Sequence, residues 1–140
     1  MKQIPVIFWT GTGNTQMMAD AIAEAINAAG AEAVVKNVSE ITADEAAGYD
    51  ALALGCPAMG AEVLEECEFE PFFTELEGKL AGKKVALFGS YGWGGSYMQD
   101  WEARVKDAGA ELVADGVLAL GAPDDEAEAK LAEAGKLLAE

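Results

Sequence analysis

An α/β fold, with a parallel sheet covered by helices on both faces, is the class the sequence predicts. Three observations lead there. Strand-type and helix-type segments alternate strictly through the 140 residues, five of each. The strand segments are short and apolar, as strands buried on both faces are. No linker, internal repeat or low-complexity stretch interrupts the alternation, so residues 1–140 read as a single domain.

Residues 4–9 form an apolar β-type run. Pro5 within it lacks an N–H, which a central strand tolerates only near its start. Residues 14–29 are an Ala-rich helix with Met18, Ile22 and Ile26 four apart, stopped by Gly30. A second strand covers 33–38, and Thr42 is a fitting N-cap for a short helix over 42–47. The third strand is 49–55, and Pro71 suits the first turn of a helix reaching about residue 80. A fourth strand covers 83–89, followed by a helix over 96–108 that Gly109 closes. The fifth strand runs over 111–120 with a break expected at Asp115-Gly116, and 124–139 is the closing helix.

Composition narrows the function. Hydrophobic residues make up 51%, but 28 of them are Ala; Leu, Ile, Val and Phe number 31, enough for one core. Nine basic residues against 25 acidic give a net charge of −16, which argues against nucleic acid and anionic membranes as partners. No apolar run has the length of a membrane span, nothing resembles a signal peptide, and the expected location is cytoplasmic. There is no His, the commonest general base and metal ligand. Cys56 and Cys67 are too few for a four-thiolate cluster and are not spaced as CxxC; both read as structural, with no metal site. Any redox chemistry must therefore belong to an organic cofactor.

In a parallel sheet every loop that follows a strand lies on one edge, and ligands bind there where the strand order reverses. The first such loop, Thr10-Gly11-Thr12-Gly13-Asn14-Thr15, packs three hydroxyls, two glycines and an amide between a strand and a helix. Convergent N–H donors at a helix N-terminus suit a phosphate. The loop lacks the Gly-Lys-Ser/Thr of a Walker A motif, and Gln16 stands where a full GxGxxG has its third Gly. The second loop carries Pro57, Ala58, Met59 and Gly60, a turn presenting a soft apolar side chain, with Glu62 behind it. The third, Gly89-Ser90-Tyr91-Gly92-Trp93-Gly94-Gly95, sets aromatic rings in flexible backbone, as stacking on a flat ring requires. Read singly, each loop has a plainer meaning: a capped helix start, a surface turn, and loop packing by Tyr91 and Trp93.

Together the loops describe a site for a flat mononucleotide such as FMN, and here the sequence resembles the short-chain flavodoxins, especially the clostridial-type members. The resemblance covers essentially the whole chain, most closely at 10–15, 55–66 and 83–94. It implies a doubly wound, flavodoxin-like sheet of five parallel strands in the order 2-1-3-4-5. It implies that Thr10, Gly11, Thr12, Gly13, Asn14 and Thr15, with Ser90, hold the FMN phosphate. Trp93 would stack on the outer face of the isoalloxazine, the amides around Gly92 and Gly94 would face the pyrimidine oxygens, and Tyr91 belongs to the same site. Met59, after Pro57 and Ala58, would cover the inner face. Gly60 would offer its carbonyl to N5, Glu62 would bond the N3–H edge, and Trp9 would pack beneath. Three departures stand out: Thr10 in place of the usual Ser, Ala61 where relatives carry a polar residue, and a stretch at 94–97 one residue shorter.

The resemblance also implies an electron-transfer protein rather than an enzyme. It would hold FMN tightly but non-covalently, cycle mainly between neutral semiquinone and anionic hydroquinone, and replace ferredoxin. A peptide flip at Gly60-Ala61 would serve N5, with Ala61 tolerating the flipped form less well than Gly by about 1 kcal/mol. Eleven acids and no Lys or Arg lie between 37 and 78, so that stretch supplies −11 of the −16, and several of its acids directly follow the second loop. Such an acidic rim, including Glu65, Glu66 and Glu68, would oppose further negative charge on the flavin and steer basic partners such as ferredoxin-type oxidoreductases; its plainer reading is a solvated surface. A monomer is expected. The alternatives are an FMN-dependent reductase of the same superfamily, for which the chain has no insertion to build a substrate pocket, and a cofactor-free receiver-like module, for which the clustered Asp residues are missing.

Overall fold

The computed structural model describes residues 2–11, 13–58, 64–91 and 96–140. Its elements follow the predicted alternation: β1 (Gln3–Phe8), α1 (Asn14–Ala28), β2 (Glu32–Asn37), α2 (Ala43–Ala46), β3 (Ala51–Gly55), α3 (Phe69–Glu77), β4 (Lys84–Tyr91), α4 (Ser96–Asp107), β5 (Glu111–Leu112), β6 (Val117–Leu120) and α5 (Asp125–Ala139). The strands are parallel in the order β2-β1-β3-β4-β5, and β6 also pairs with β4. The expected order 2-1-3-4-5 is therefore observed, with the fifth position divided.

The division falls at the expected break. Lys84 is in register with Glu111 low on β4, and Phe88 with Val117 higher up. Between them, the Gly116 N–H donates to Glu102 Oε2 at 2.6 Å, and a Cβ on Gly116 would lie 2.4 Å from Met98 Sδ. Pro5 also fits. It stands opposite Val34 of β2, but pairing of β1 with β3 starts only at Val6, so the missing N–H falls at the strand's beginning.

Alternate residues of β1, β3 and β4 feed two cores. Ile4, Val6 and Phe8 of β1, Ala51 and Ala53 of β3, and Ala86 and Phe88 of β4 face α1 and α5. Ile7, Leu52, Leu54, Val85 and Leu87 face α2, α3 and α4. The alanines let α1 and α5 sit close to the sheet and to each other; a Cβ on Gly135 of α5 would come 2.9 Å from Ala25 Cβ of α1. The short α2 is held by a capping box: Thr42 Oγ1 accepts from the Glu45 N–H and Glu45 Oε1 from the Thr42 N–H.

Helix α3 begins at Phe69 and ends at Glu77, three residues before the expected end. Pro71 is its third residue, still inside the first turn where an N–H has no intrahelical partner. Cations gather at the opposite edge. Lys83 Nζ donates to the Tyr49 carbonyl at 2.8 Å, and Lys2 and Lys84 donate to the Leu138 and Glu140 carbonyls at the end of α5. Among the described residues, no helix is long and apolar enough to cross a membrane.

Candidate functional site

The C-terminal ends of β1, β3 and β4 converge on one edge, where the strand order reverses between β1 and β3. Three loop stems meet there. On the first, Gly13 is the N-cap of α1 with φ 94°, a left-handed conformation that favours Gly. Its N–H donates to Thr10 Oγ1 at 2.9 Å, and its carbonyl accepts the first helical bond, from Met17 N–H, at 3.1 Å. The amides of Asn14, Thr15 and Gln16 therefore lie in the first turn, where helical N–H groups lack intrahelical partners. No acid stands in that turn. Uncharged donors and the positive end of the helix dipole thus face the loop without competition.

Two hydroxyls complete this cradle. Thr15 is 1% exposed and Ser90, on the last turn of β4's ladder, 6%. Their oxygens are 3.2 Å apart. One hydroxyl hydrogen closes that contact, which leaves the second for an outside acceptor. Asn14 is half-buried beside them. Gly11 is exposed, and its backbone lies against Trp9: a Cβ there would come 3.2 Å from the indole. Trp9 thus sits under the first loop, half-buried, its Nε1 donating to Glu68 Oε1 at 3.3 Å.

The second and third stems are tied together at Cys56. Its N–H donates to the Phe88 carbonyl at 3.1 Å, its carbonyl accepts from Tyr97 Oη at 2.8 Å, and its Sγ accepts from the Glu65 N–H at 3.3 Å. Burial pushes the Cys56 thiol up to about 12, so it is a neutral packing group, the structural role expected of it. Burial likewise raises Tyr97. The half-buried Ala58 donates its N–H to the Ser90 carbonyl at 2.9 Å, with Pro57 half-buried before it. Tyr91 is half-buried, and its carbonyl accepts from the Gly121 N–H at 3.2 Å.

The described residues Thr10, Gly11, Gly13, Asn14, Thr15, Pro57, Ala58, Ser90 and Tyr91 thus lie on one edge. Thr12, Met59, Gly60, Ala61, Glu62, Gly92, Trp93 and Gly94 lie outside the described residues.

Glu65 requires a correction. The sequence groups it with Glu66 and Glu68 as solvated rim charge, yet it is only 6% exposed, whereas the other two are exposed. Its Oε1 accepts from the Glu68 and Phe69 N–H groups at 2.7 and 2.9 Å, and its Oε2 from the Cys67 N–H at 2.7 Å. Burial opposes the charged form, but these amides outweigh it and hold the carboxyl below the usual glutamate range. Glu65 caps α3. Pro71 in the first turn does not by itself fix the helix start; a start at Phe69 puts a carboxylate four residues upstream, which is the available signal.

An uncharged cradle at the switch point of a doubly wound parallel sheet defines a mononucleotide-binding α/β protein of the flavodoxin-like class. Comparison with known proteins is more specific. The flavodoxin family model matches residues 6–135. The flavodoxin of Clostridium beijerinckii is 49% identical over 135 residues, covering 96% of this chain and 97% of that protein. The flavodoxin of Megasphaera elsdenii is 47% identical over 116 residues, covering 82% and 85%. The solution structure of the two-electron reduced M. elsdenii flavodoxin superposes with a TM-score of 0.89 at 44% identity, covering 97% of this chain and 98% of that one. The chain belongs to the flavodoxin family. Flavodoxins are FMN-binding electron-transfer proteins, not enzymes, and act with partner proteins. They are themselves a type case of ligand binding at the β1/β3 switch point.

Proposed function

We propose that this chain is a low-potential one-electron carrier that holds FMN tightly and non-covalently and can stand in for ferredoxin. The observation that carries the reading is the cradle: the left-handed Gly13 cap, the open first turn of α1, and the buried Thr15–Ser90 hydroxyl pair. It fits a phosphate without a cation, because backbone and hydroxyl dipoles replace Lys or Arg. FMN supplies one-electron chemistry, working mainly between its one-electron-reduced and fully reduced forms.

The residues divide the remaining tasks. Thr10, Gly11, Thr12, Gly13, Asn14, Thr15 and Ser90 bind the phosphate. Met59 and Trp93 enclose the ring and exclude water, with Pro57, Ala58, Tyr91, Gly92 and Gly94 around them. The Gly60 carbonyl accepts the N5 proton's hydrogen bond, and Glu62 accepts at the N3–H edge. Exposed acids such as Glu66 and Glu68 disfavour a further negative charge and steer partners with basic docking surfaces, of the ferredoxin-type oxidoreductase kind. The protein acts as a cytoplasmic monomer of one domain; the match over residues 6–135 and two cores sharing one sheet support the last point.

The test is the visible spectrum of the purified protein, or of apoprotein given FMN, followed through a dithionite titration under nitrogen. Two separated one-electron steps are expected. A colourless protein that takes up no FMN, or a single two-electron step, would overturn the proposal, and steady NAD(P)H turnover by the protein alone would favour the reductase alternative.

A further inference from the structure

We propose that Glu65 and Tyr97 are positioning residues for the flavin ring, bracing through Cys56 the stems of the two loops expected to enclose it. The proposal rests on the FMN-carrier reading above.

Cys56 is a junction rather than a site. Its N–H, carbonyl and Sγ bind three different segments: β4 at Phe88, the start of α4 at Tyr97, and the start of α3 at Glu65. Cys56 and Glu65 are therefore joined directly, by the Sγ contact. Tyr91 and Tyr97 are each tied as well, through the Tyr91 carbonyl and through Tyr97 Oη. The approach is close enough that a Cβ on Gly89 would come 2.1 Å from both the Cys56 carbonyl oxygen and Tyr97 Oη. Tyr97 is 2% exposed and Glu65 6%, so neither acts on solvent or on a partner protein.

Glu65 fixes the far stem. Its carboxylate collects the N–H groups of Cys67, Glu68 and Phe69. Its own N–H is spent on Cys56 Sγ and its carbonyl accepts from the Glu70 N–H at 2.8 Å, so the residue is held on every polar atom. A buried, fully engaged carboxylate at the end of a loop gives that loop one exit direction. The expected inner-face residue Met59, and Gly60 and Glu62, lie between these fixed ends in sequence.

None of these bonds involves the Thr10–Thr15 cradle, so ring enclosure and phosphate anchoring are separable. Apoprotein is titrated with FMN and with riboflavin, which lacks the phosphate, for wild type, Glu65→Gln and Tyr97→Phe. Each variant is expected to lose affinity for both flavins by the same factor, about tenfold, as removal of one buried hydrogen bond to a charged or fixed partner implies. Tyr97→Phe changes no charge, so the shift expected in its midpoint potentials reports an altered ring environment rather than a lost charge. Should Glu65→Gln fail to fold, Tyr97→Phe decides alone. Wild-type affinity for both flavins and wild-type potentials in Tyr97→Phe, with only urea stability reduced, would show a merely structural role and overturn the proposal. So would a loss confined to FMN. Failure of the wild type to bind FMN would instead sink the carrier reading itself.

Discussion

Replacing Ser90 with Ala tests the cradle where its geometry is best defined. In the apoprotein the change removes the 3.2 Å contact with Thr15 Oγ1, between residues 1% and 6% exposed. A neutral intramolecular hydrogen bond contributes about 1 kcal/mol net, so urea stability is expected to fall by about that amount. In the proposed complex the lost group would be a donor to an anion, a bond worth about 1.5–3 kcal/mol. Thr15 survives and regains its own hydrogen for donation, so the lower end applies: a loss of about 10–30-fold in FMN affinity at 1.4 kcal/mol per decade. Riboflavin has no phosphate to lose, and its affinity is expected to change by less than about threefold. Quenching of flavin fluorescence on titration with apoprotein measures both. Equal losses for the two flavins would place the Ser90 hydroxyl elsewhere than at the phosphate, and unchanged FMN affinity would remove it from the cradle altogether.

Glu66→Gln with Glu68→Gln is expected to raise the second one-electron midpoint potential by roughly 35 mV per charge, from one charge at about 10 Å in an effective dielectric of about 40, and by less at high salt; a potential that does not move would leave these acids a solubility role. Ala61→Gly is expected to raise the first midpoint potential by up to about 40 mV, the equivalent of about 1 kcal/mol of relieved backbone strain; an unchanged or lowered value in a redox titration counts against the flip. Arg104 holds Glu70 at 2.7 and 2.9 Å and Glu77 at 3.1 Å, with its guanidinium 4.7 Å from the Phe73 ring, and Arg104→Met is expected to cost about 1–2 kcal/mol after allowance for its partial exposure. Arg104 holds the Glu70 carboxyl below the usual range, so this stabilisation is full at neutral pH and is lost as pH falls through the lowered value. Urea midpoints for wild type and variant should therefore converge below about pH 4, and a constant gap would contradict the assignment.

Much of this fold was legible because local signals and global layout agree. Gly30 and Gly109 end helices at positive φ, Thr42 caps α2, Asp124 caps α5, and Asp115-Gly116 divides the last strand. The local contact in the first loop has the same origin: Thr10 Oγ1 accepts from the Gly13 N–H within one turn of chain. What escaped was long-range or misaligned. Tyr97 Oη meets the Cys56 carbonyl across 41 residues, and nothing in either neighbourhood marks the pairing. Ser90 finds Thr15 across 75 residues, and only the resemblance brought them together. The cap at Glu65 is not legible because Pro71 is compatible with any position in a helix's first turn and so does not mark which upstream acid meets the free N–H groups.

The buried capping role of Glu65 sets it apart from the rest of the acidic stretch. Net charge treats its members alike, but the described ones fall into different physical classes. Glu40 and Glu45 accept backbone N–H groups at turn and helix starts. Asp44 is paired with Lys79, and Glu70 and Glu77 share Arg104. Paired carboxylates contribute little field at a distance, since each is cancelled by a nearby cation. Glu65 keeps its charge but holds it against three amides, so removing it loosens α3 and the loop before it. A triple neutralisation of Glu65, Glu66 and Glu68 would therefore mix a lost charge with a displaced backbone, and a shifted potential would not say which caused it. Neutralising Glu66 and Glu68 alone separates the two, because both are exposed and neither caps a helix through its carboxylate. Glu68 does hold Trp9 Nε1 at 3.3 Å, and Gln at that position retains an acceptor for the indole, so the double change removes charge while keeping the contact beneath the first loop.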